Sequence, residues 1–248
     1  MTDTITTTST AGQHFRDGVP AFLDQVRSNG FVVMRKQELA GLVGEADLEG
    51  LRGAFENLPV DTQTDGVDVY RERRYGRLRV DVDADAVSLK VLPNAVFRQD
   101  SIPLWRGKDR VFEPVPEEVL LSAAIRALVE FDARMATAAD GNTSWRAGIH
   151  LVRVVARAGA DGLPTPEGRH RDGHSFVGLH LMRRDDVTGG VSTIHPNDGS
   201  PQVRTTLHQP LDSMFFDDNM ITHEVSPVVP EGAFGVRDML QIDFNPMD

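Results

Sequence analysis

Six short strand-like segments follow one another after residue 144, and this succession constrains the fold more than any other feature of the sequence. The segments are rich in β-branched and aromatic residues, and clusters of Gly, Pro, Asn and Asp separate them. Such spacing is typical of an antiparallel sandwich or barrel, so we expect the main β-core at residues 145–248. The segments are AGIHLVRVVAR, HSFVGLHLMRR, GGVSTIHP, SMFFDD, NMITHEVSPV and RDMLQIDF.

The front of the chain is predicted to be mainly helical. VPAFLDQVRSNG has helical apolar spacing and a terminal Gly30, and FVVMRK after it has the pattern of a strand. A second helix is predicted from Glu45 to Leu58, and the longest from Pro116 to Asp140, with no breaker before Gly141. Between them, residues 69–87 alternate as a hairpin or meander would.

The length of the chain suits one domain. Its 248 residues, 40% of them apolar, are enough to bury a full core, and the sequence has no internal repeat and no long linker. We therefore expect a single α+β domain over residues 14–248, with helical support at 14–140 flanking the β-core. The Thr-rich start, residues 1–13, predicts a disordered tail rather than an export signal.

Charge and composition exclude several classes of function. With 26 basic and 37 acidic residues the net charge is −11, which argues against a partner that is a nucleic acid or an anionic membrane surface. No apolar run approaches the roughly 20 residues that span a bilayer. The chain has no cysteine, so any metal must be held by His, Asp or Glu. The expectation is an acidic cytoplasmic enzyme that acts on a small molecule.

The segment GRHRDGHSF carries the first candidate metal ligands. His170, Asp172 and His174 occupy alternate positions, and residues i and i+2 of an extended chain project from the same face. His170 and Asp172 could thus contact one ion. Taken alone, the motif favours polar turn residues beside Gly173, because isolated motif matches are mostly fortuitous.

Two downstream residues favour a metal site. His223 lies in the strand-like run NMITHEVSP, which a sandwich can bring beside His170 and Asp172. Two imidazoles and one carboxylate on one face form the facial triad of non-haem Fe(II) oxygenases, which leaves three coordination positions open. Arg237 opens the last strand, and its guanidinium is suited to binding the far carboxylate of a dicarboxylate that chelates the metal.

These residues carry a family resemblance. The order of His170, Asp172, His223 and Arg237 resembles that of the Fe(II)/2-oxoglutarate-dependent dioxygenases. More narrowly, the chain is similar to the bacterial branch that hydroxylates free amino acids, typified by L-isoleucine 4-hydroxylase. The similar segments cover most of the chain after about residue 70 and include RRYGRL, RVFEPV, PTPEGRHRDGHSF, GGVSTI, PLDSMFFDDNMITHEVSPV and RDMLQIDF.

The resemblance implies a fold, a cofactor set and a reaction. The fold is a double-stranded β-helix, also called a jelly roll or cupin-like core, and the cofactors are Fe(II), 2-oxoglutarate and O2. Iron would be held by His170, Asp172 and His223, with His174 a bystander, and Arg237 would pair with the C5 carboxylate of 2-oxoglutarate. The reaction would hydroxylate a free L-amino acid, aliphatic such as isoleucine or leucine, or polar such as citrulline, with release of succinate and CO2.

The resemblance does not extend to every position. Some relatives have a serine two residues after the clamp arginine, where this chain has Met239, so a second hydrogen bond to the cosubstrate must come from elsewhere.

Arg74 and Tyr75, in the RRYG segment, are the candidate substrate residues. A free amino acid needs a cation for its carboxylate and an apolar wall for its side chain, which an arginine next to a tyrosine can supply. A surface hairpin with one buried tyrosine is the alternative interpretation. His180 is interpreted as a core histidine bonded to backbone, and Asp217 and Asp218 as turn residues before the His223 strand.

Two other functions fit part of the pattern. A cupin-like isomerase or hydrolase could use the same triad with another divalent metal and would not need Arg237. A non-enzymatic ligand-binding jelly roll would use the histidines structurally and take up no stoichiometric iron.

Overall fold

The computed structural model describes residues 5–7, 11–63 and 71–247. Helices and strands alternate in the front half of this part of the chain, and strands dominate the rest. The helices are α1 (Ala11–Asn29), α2 (Glu45–Gly53), α3 (Glu117–Leu120) and α4 (Ala123–Asp140), with a short 3₁₀ helix at Lys36–Leu39. The strands are β1 (Ile5–Thr7), β2 (Phe31–Met34), β3 (Arg71–Val82), β4 (Val87–Leu92), β5 (Ser144–Arg157), β6 (Phe176–Asp185), β7 (Val187–Gly189), β8 (Ser192–Pro196), β9 (Val203–Thr205), β10 (Ser213–Asp217), β11 (Ile221–Val225), β12 (Val228–Pro230) and β13 (Phe234–Pro246).

An eight-stranded antiparallel sheet forms the centre of the molecule, in the order β1-β4-β3-β5-β13-β6-β10-β2. Two small sheets, β11-β8-β9 and β12-β7, accompany it. The long strands β5 and β13 pair along thirteen residues in the middle of the large sheet. This antiparallel arrangement with few helices confirms the predicted α+β class and its double-stranded β-helix core.

The helices cover one face of the large sheet. α4 contacts β3 and β13, and α1 packs on α4. Because side chains alternate along a strand, Leu240, Ile242 and Phe244 of β13 all join the apolar core beneath these helices. The intervening residues, including Arg237, Met239 and Gln241, line a cavity on the opposite face. One strand thus contributes both to the core and to the cavity.

Several predicted boundaries differ from the structure. The long helix predicted from Pro116 to Asp140 is two helices, because Ser122 caps α4 by accepting a hydrogen bond from the Ile125 amide at 3.4 Å. It ends as predicted, with Gly141 in the left-handed region at φ 92°. The predicted second helix ends at Gly53 rather than Leu58.

The front of the chain contributes strands to the large sheet as well as helices that support it. The strand predicted after Gly30 and the hairpin predicted at residues 69–87 both form, as β2 and as β3 with β4, and all three belong to the large sheet. Of the predicted tail at residues 1–13, residues 1–4 and 8–10 lie outside the described residues, Ile5–Thr7 pair with β4, and α1 begins at Ala11. Among the described residues, no helix is long and apolar enough to cross a membrane.

Candidate active site and metal centre

The two candidate histidine ligands are neighbours through their backbones. His170 lies between β5 and β6, outside any strand, and forms an isolated antiparallel bridge with His223 of β11. The His170 amide donates to the His223 carbonyl at 3.0 Å, and the His223 amide donates to the His170 carbonyl at 2.9 Å. Their ring centroids are 4.5 Å apart.

The carboxylate of Asp172 completes the cluster. Its Oδ1 lies 3.3 Å from His170 Nε2, and its Oδ2 lies 3.9 Å from His223 Nε2. One ligand atom from each of the three residues lies within 4.8 Å of the others, and all three side chains are buried. A buried set of two imidazole nitrogens and one carboxylate oxygen at this spacing fits one divalent transition metal ion.

The electrostatics of the cluster keep the carboxylate ionised. Burial on its own raises the pKa of Asp172, but the two histidines outweigh burial and bring that pKa well below its usual range. Burial likewise lowers the pKa of His223, to about 4. For His170 the nearby carboxylates of Asp172 and Glu167 outweigh burial and raise the pKa to about 9. The ionised carboxylate is the form that binds a cation.

Asp218 holds the backbone of the segment that carries Asp172. Its carboxylate accepts hydrogen bonds from three consecutive amides, those of Asp172 at 3.0 Å, Gly173 at 2.7 Å and His174 at 3.1 Å. Burial and the charge of Asp172 together raise the pKa of Asp218 to about 6. The sequence indicated only a turn here, whereas the structure shows a side chain that positions a candidate ligand.

A carbonyl group orients the His170 ring. Nδ1 of His170 lies 2.8 Å from the Gly168 carbonyl and donates to it, so Nε2 is the nitrogen that faces the cluster and would bind a metal after losing its proton.

Arg237 lies on β13 and lines the same cavity as the triad. It is buried, and its Nε has no hydrogen-bond partner among the described residues. Burial and the nearby Arg184 lower the pKa of Arg237 to about 10. A buried guanidinium that lacks a carboxylate partner is a costly arrangement that a bound anion would relieve.

The cavity that joins these groups has a volume of about 750 Å³, including its open mouth. Apolar side chains separate its charged groups. Its lining residues are Arg71, Arg73, Gln99, Trp105, Arg110, Val152, Val154, Pro164, Thr165, Glu167, His170, Asp172, Leu179, His223, Val225, Arg237, Met239 and Gln241.

The predicted substrate residues Arg74 and Tyr75 do not line this cavity. Arg74 faces away and pairs with Glu113 at 3.0 Å. Tyr75 is buried, and its ring stacks on His150 at 4.6 Å between centroids. The cavity receives Arg71 and Arg73 instead. Alternation along β3 places Arg74 on the opposite face, whereas Tyr75 shares their face but lies beyond the lining of the cavity.

His180 and His174 lie outside the metal cluster. His180 is a core residue as predicted, but it contacts the side chains of Ser213 at 2.8 Å and Asp132 at 2.9 Å rather than backbone. All three side chains are fully buried, so this constellation has no access to a substrate. His174 contacts Asn245 at 2.9 Å and is not part of the metal cluster.

His150, to which the sequence assigned no chemistry, is a buried link between two charged groups. Its Nδ1 lies 2.6 Å from Arg73 Nη2, and its Nε2 lies 2.7 Å from Asp243 Oδ2. Burial, followed by the charge of Arg73, lowers the pKa of His150 to about 4, so the ring is neutral and accepts from the arginine.

The fold and the triad together define the class of the protein. A double-stranded β-helix with a buried His-Asp-His cluster beside an unpaired arginine is the architecture of a non-haem metal oxygenase. The 2OG-Fe dioxygenase family matches residues 52–243, and the chain belongs to that family. The cofactors of the family are Fe(II), 2-oxoglutarate and O2, as the resemblance implied.

Solved structures agree with this assignment. A BsmA homologue from Methylobium petroleophilum PM1 is 27% identical, with a TM-score of 0.83 over 92% of this chain and 93% of that one. IDO from Bacillus thuringiensis is 23% identical, with a TM-score of 0.77 over 93% of this chain and 100% of that one. The Fe(II)/α-ketoglutarate-dependent dioxygenase TqaL is 18% identical, with a TM-score of 0.72 over 96% and 90% of the two chains. No curated protein matches the chain.

Proposed function

We propose that the protein hydroxylates a free L-amino acid in a reaction that depends on Fe(II) and 2-oxoglutarate and releases succinate and CO2. The amino acid is aliphatic, such as isoleucine or leucine, or polar, such as citrulline. The observation that carries the proposal is the position of Arg237 in the same cavity as His170, Asp172 and His223. Its guanidinium is buried and has no carboxylate partner among the described residues.

In this proposal His170, Asp172 and His223 hold the iron. Their three ligand atoms already lie within 4.8 Å of one another, and the donor set suits Fe(II) and leaves open positions. Iron, 2-oxoglutarate and O2 supply the oxidising power that replaces a C–H bond of the substrate with C–OH. Asp218 and Gly168 position the ligands through the hydrogen bonds described above.

Arg237 binds the C5 carboxylate of 2-oxoglutarate. Two N–H groups of one guanidinium match two carboxylate oxygens, and this pairing is stronger when water is excluded. The apolar side chains of Val154, Leu179 and Met239 line the cavity near it and exclude water. Arg237 therefore contributes both affinity for the cosubstrate and its orientation toward the metal.

An amino acid suits the charges of the cavity. The lining includes a carboxylate, Glu167, whose Oε2 is buried without a hydrogen-bond partner in the described part of the chain. It also includes arginines besides Arg237. A small molecule that carries both an ammonium and a carboxylate complements such a site, whereas a neutral hydrocarbon does not.

The proposal is tested in two stages. Anaerobic addition of Fe(II) and 2-oxoglutarate to the protein should produce the weak visible charge-transfer band of the chelate. A panel of the twenty common amino acids plus citrulline and ornithine is then scored by succinate release that depends on the amino acid.

Matched histidine variants provide the control. His223→Gln should abolish the band, and His208→Gln should retain it, because His208 is exposed and outside the metal cluster. Tight zinc binding with no band would favour an isomerase or hydrolase, and failure to take up stoichiometric iron would favour a ligand-binding jelly roll.

A further inference from the structure

Three buried arginines form a second cationic region of the cavity. Arg71 and Arg73 come from β3, and Arg110 comes from the segment between β4 and α3. We call these three residues the arginine wall. Arg71 pairs in register with Val154 of β5, which pairs in register with Arg237 of β13. Since adjacent strands lie about 4.8 Å apart, the backbones of Arg71 and Arg237 are separated by about 10 Å. The wall is thus separate from the residue proposed to bind 2-oxoglutarate.

The arginine wall carries more positive charge than its neighbours neutralise. Asp61 pairs with Arg71 at 2.8 Å between Oδ2 and Nε. Arg73 has no carboxylate partner among the described residues, and its side chain contacts His150 and the Phe112 ring. Burial, together with repulsion from the other two arginines, lowers the pKa of Arg73 to about 9. Among the described residues, Asp61 is the only carboxylate in an ion pair with these three guanidinium groups, which leaves room for an anion.

The arginine wall also has buried hydrogen-bond donors that have no acceptor among the described residues. Arg71 Nη2, Arg73 Nε and Arg110 Nε are all buried and have no partner among those residues. A buried donor without an acceptor costs about 1–3 kcal/mol, and more when it is charged. Three such donors in one wall of a cavity indicate a site for a ligand with acceptor oxygens.

A single glutamine connects the wall to the metal cluster. Arg110 Nη2 donates to Gln99 Oε1, and Gln99 Nε2 lies 3.5 Å from Asp172 Oδ1. Only one amide group and two hydrogen bonds therefore separate the guanidinium from a proposed iron ligand. An anion bound to Arg110 therefore lies close enough to the metal cluster for a small substrate to reach both.

We propose that the arginine wall binds the carboxylate of the primary substrate and makes a free carboxylate a requirement for turnover. This inference rests on the proposed function and specifies its substrate as a small free acid, oriented with its carboxylate toward Arg73 and Arg110. The ammonium of an amino acid then faces Glu167, which is mostly buried and lines the same cavity. Carboxamides and methyl esters of the same molecule cannot neutralise the wall, and they are rejected.

The first test uses the unmodified enzyme. Each amino acid that supports succinate release is compared with its carboxamide and its methyl ester, at saturating Fe(II), 2-oxoglutarate and O2. The expected result is a kcat/KM lower by about 100-fold for both derivatives, because a charge-assisted pair in a buried site is lost. Equal kcat/KM for acid and carboxamide would overturn the inference and leave the oxygenase activity established.

The second test uses variants. Arg73→Gln and Arg110→Gln should raise KM for the amino acid by about 10- to 100-fold. They should keep the visible band of the iron chelate, with the Kd of 2-oxoglutarate within about twofold. Arg77→Gln is the matched control, since Arg77 lies on the same strand, contacts Pro93 and does not line the cavity. If Arg73→Gln instead weakens the binding of 2-oxoglutarate, as Arg237→Gln is expected to do, the arginine wall binds the cosubstrate and the inference is wrong.

A binding measurement tests the inference without requiring turnover. The Trp105 ring packs on the Arg110 guanidinium at 4.4 Å and lines the cavity, so its fluorescence reports occupancy of the wall. The probes are the L-amino acids of the panel and their carboxamides, added to enzyme that contains Fe(II) and 2-oxoglutarate without O2. A saturable change with acids alone supports the inference, and no change with any acid contradicts it. Absence of the iron chelate band would contradict the proposed function instead.

Discussion

His170 and His223 hold each other in place through two reciprocal backbone hydrogen bonds of 3.0 and 2.9 Å, although they lie 53 positions apart in the chain. The main chain, rather than the side chains, therefore sets the distance between the two imidazoles. Because the backbone fixes this distance, little conformational entropy is lost when a metal binds.

Metal binding should stabilise the protein measurably. Anaerobic Fe(II), or Mn(II) in air, at about 100 times its Kd is expected to add about 2.7 kcal/mol to the free energy of unfolding, because it binds only the folded state. Thermal denaturation with metal and with a chelator measures this difference. Asp172→Asn should remove it, whereas His195→Gln, outside the metal cluster, should keep it.

Asp218→Asn should weaken the metal site without removing a ligand. One of the two oxygens that accept the amides of residues 172–174 is replaced by an NH2 group, which repels those amides. We expect affinity for Fe(II) lower by about 10- to 100-fold, measured by competition with a chelator. The control is Asp217→Asn, because the Asp217 carboxylate accepts from the Asn219 amide and from no amide of residues 172–174. Unchanged affinity in Asp218→Asn would show that the triad does not depend on this carboxylate.

Arg237→Gln should raise the Kd of 2-oxoglutarate by about 100-fold, since a buried bidentate pair with the C5 carboxylate is lost. Titration of 2-oxoglutarate, followed by the visible band of the iron chelate, gives the Kd directly. Arg237→Lys should recover part of the affinity, because it keeps the charge but not the planar geometry. An Arg237→Gln variant with wild-type Kd would remove Arg237 from the site.

Arg74→Ala should leave KM for the amino acid within about twofold of the wild type. Its guanidinium pairs with Glu113 and with the Pro114 carbonyl outside the cavity. Removing a half-exposed ion pair changes stability by about 1 kcal/mol at most. Steady-state kinetics of Arg74→Ala and Arg73→Gln, measured side by side, show which of the two arginines affects KM for the amino acid. A large rise of KM in Arg74→Ala would instead indicate that Arg74 binds the substrate, as the sequence suggested.

His150 should make the protein less stable in mild acid. Its pKa is about 4 in the folded protein and near 6.5 when unfolded, so the unfolded state binds the extra proton first. Stability is therefore full above about pH 6.5 and falls as the pH decreases toward 4. Each unit of difference between the two pKa values corresponds to about 1.4 kcal/mol, so the free energy of unfolding falls by something on the order of 3 kcal/mol.

Urea unfolding between pH 4.5 and 7.5 measures this loss. A His150→Gln variant should show a shallower dependence on pH than the wild type, because its side chain does not titrate. Parallel curves for the two proteins would mean that other groups account for the acid sensitivity.

Much of the molecule follows from local patterns in the sequence. Alternating and β-branched runs identified the strands that form the core, and Gly30 and Gly141 marked where helices end, because these signals depend on neighbouring residues only. The motif of His170 with Asp172, followed by His223, identified three residues that the structure brings together.

Other features depend on contacts between distant segments, and only the tertiary structure decided them. Alternation along β3 shows that Arg73 and Arg74 face opposite ways, but not which face meets the cavity, since both faces of a central strand can be covered. The hydrogen bonds of Asp218 to the ligand segment span 44 to 46 residues, and Gln99 reaches Asp172 across 73. The sequence by itself determined which side chains could do the chemistry, and packing of the sheets determined which of them share one cavity.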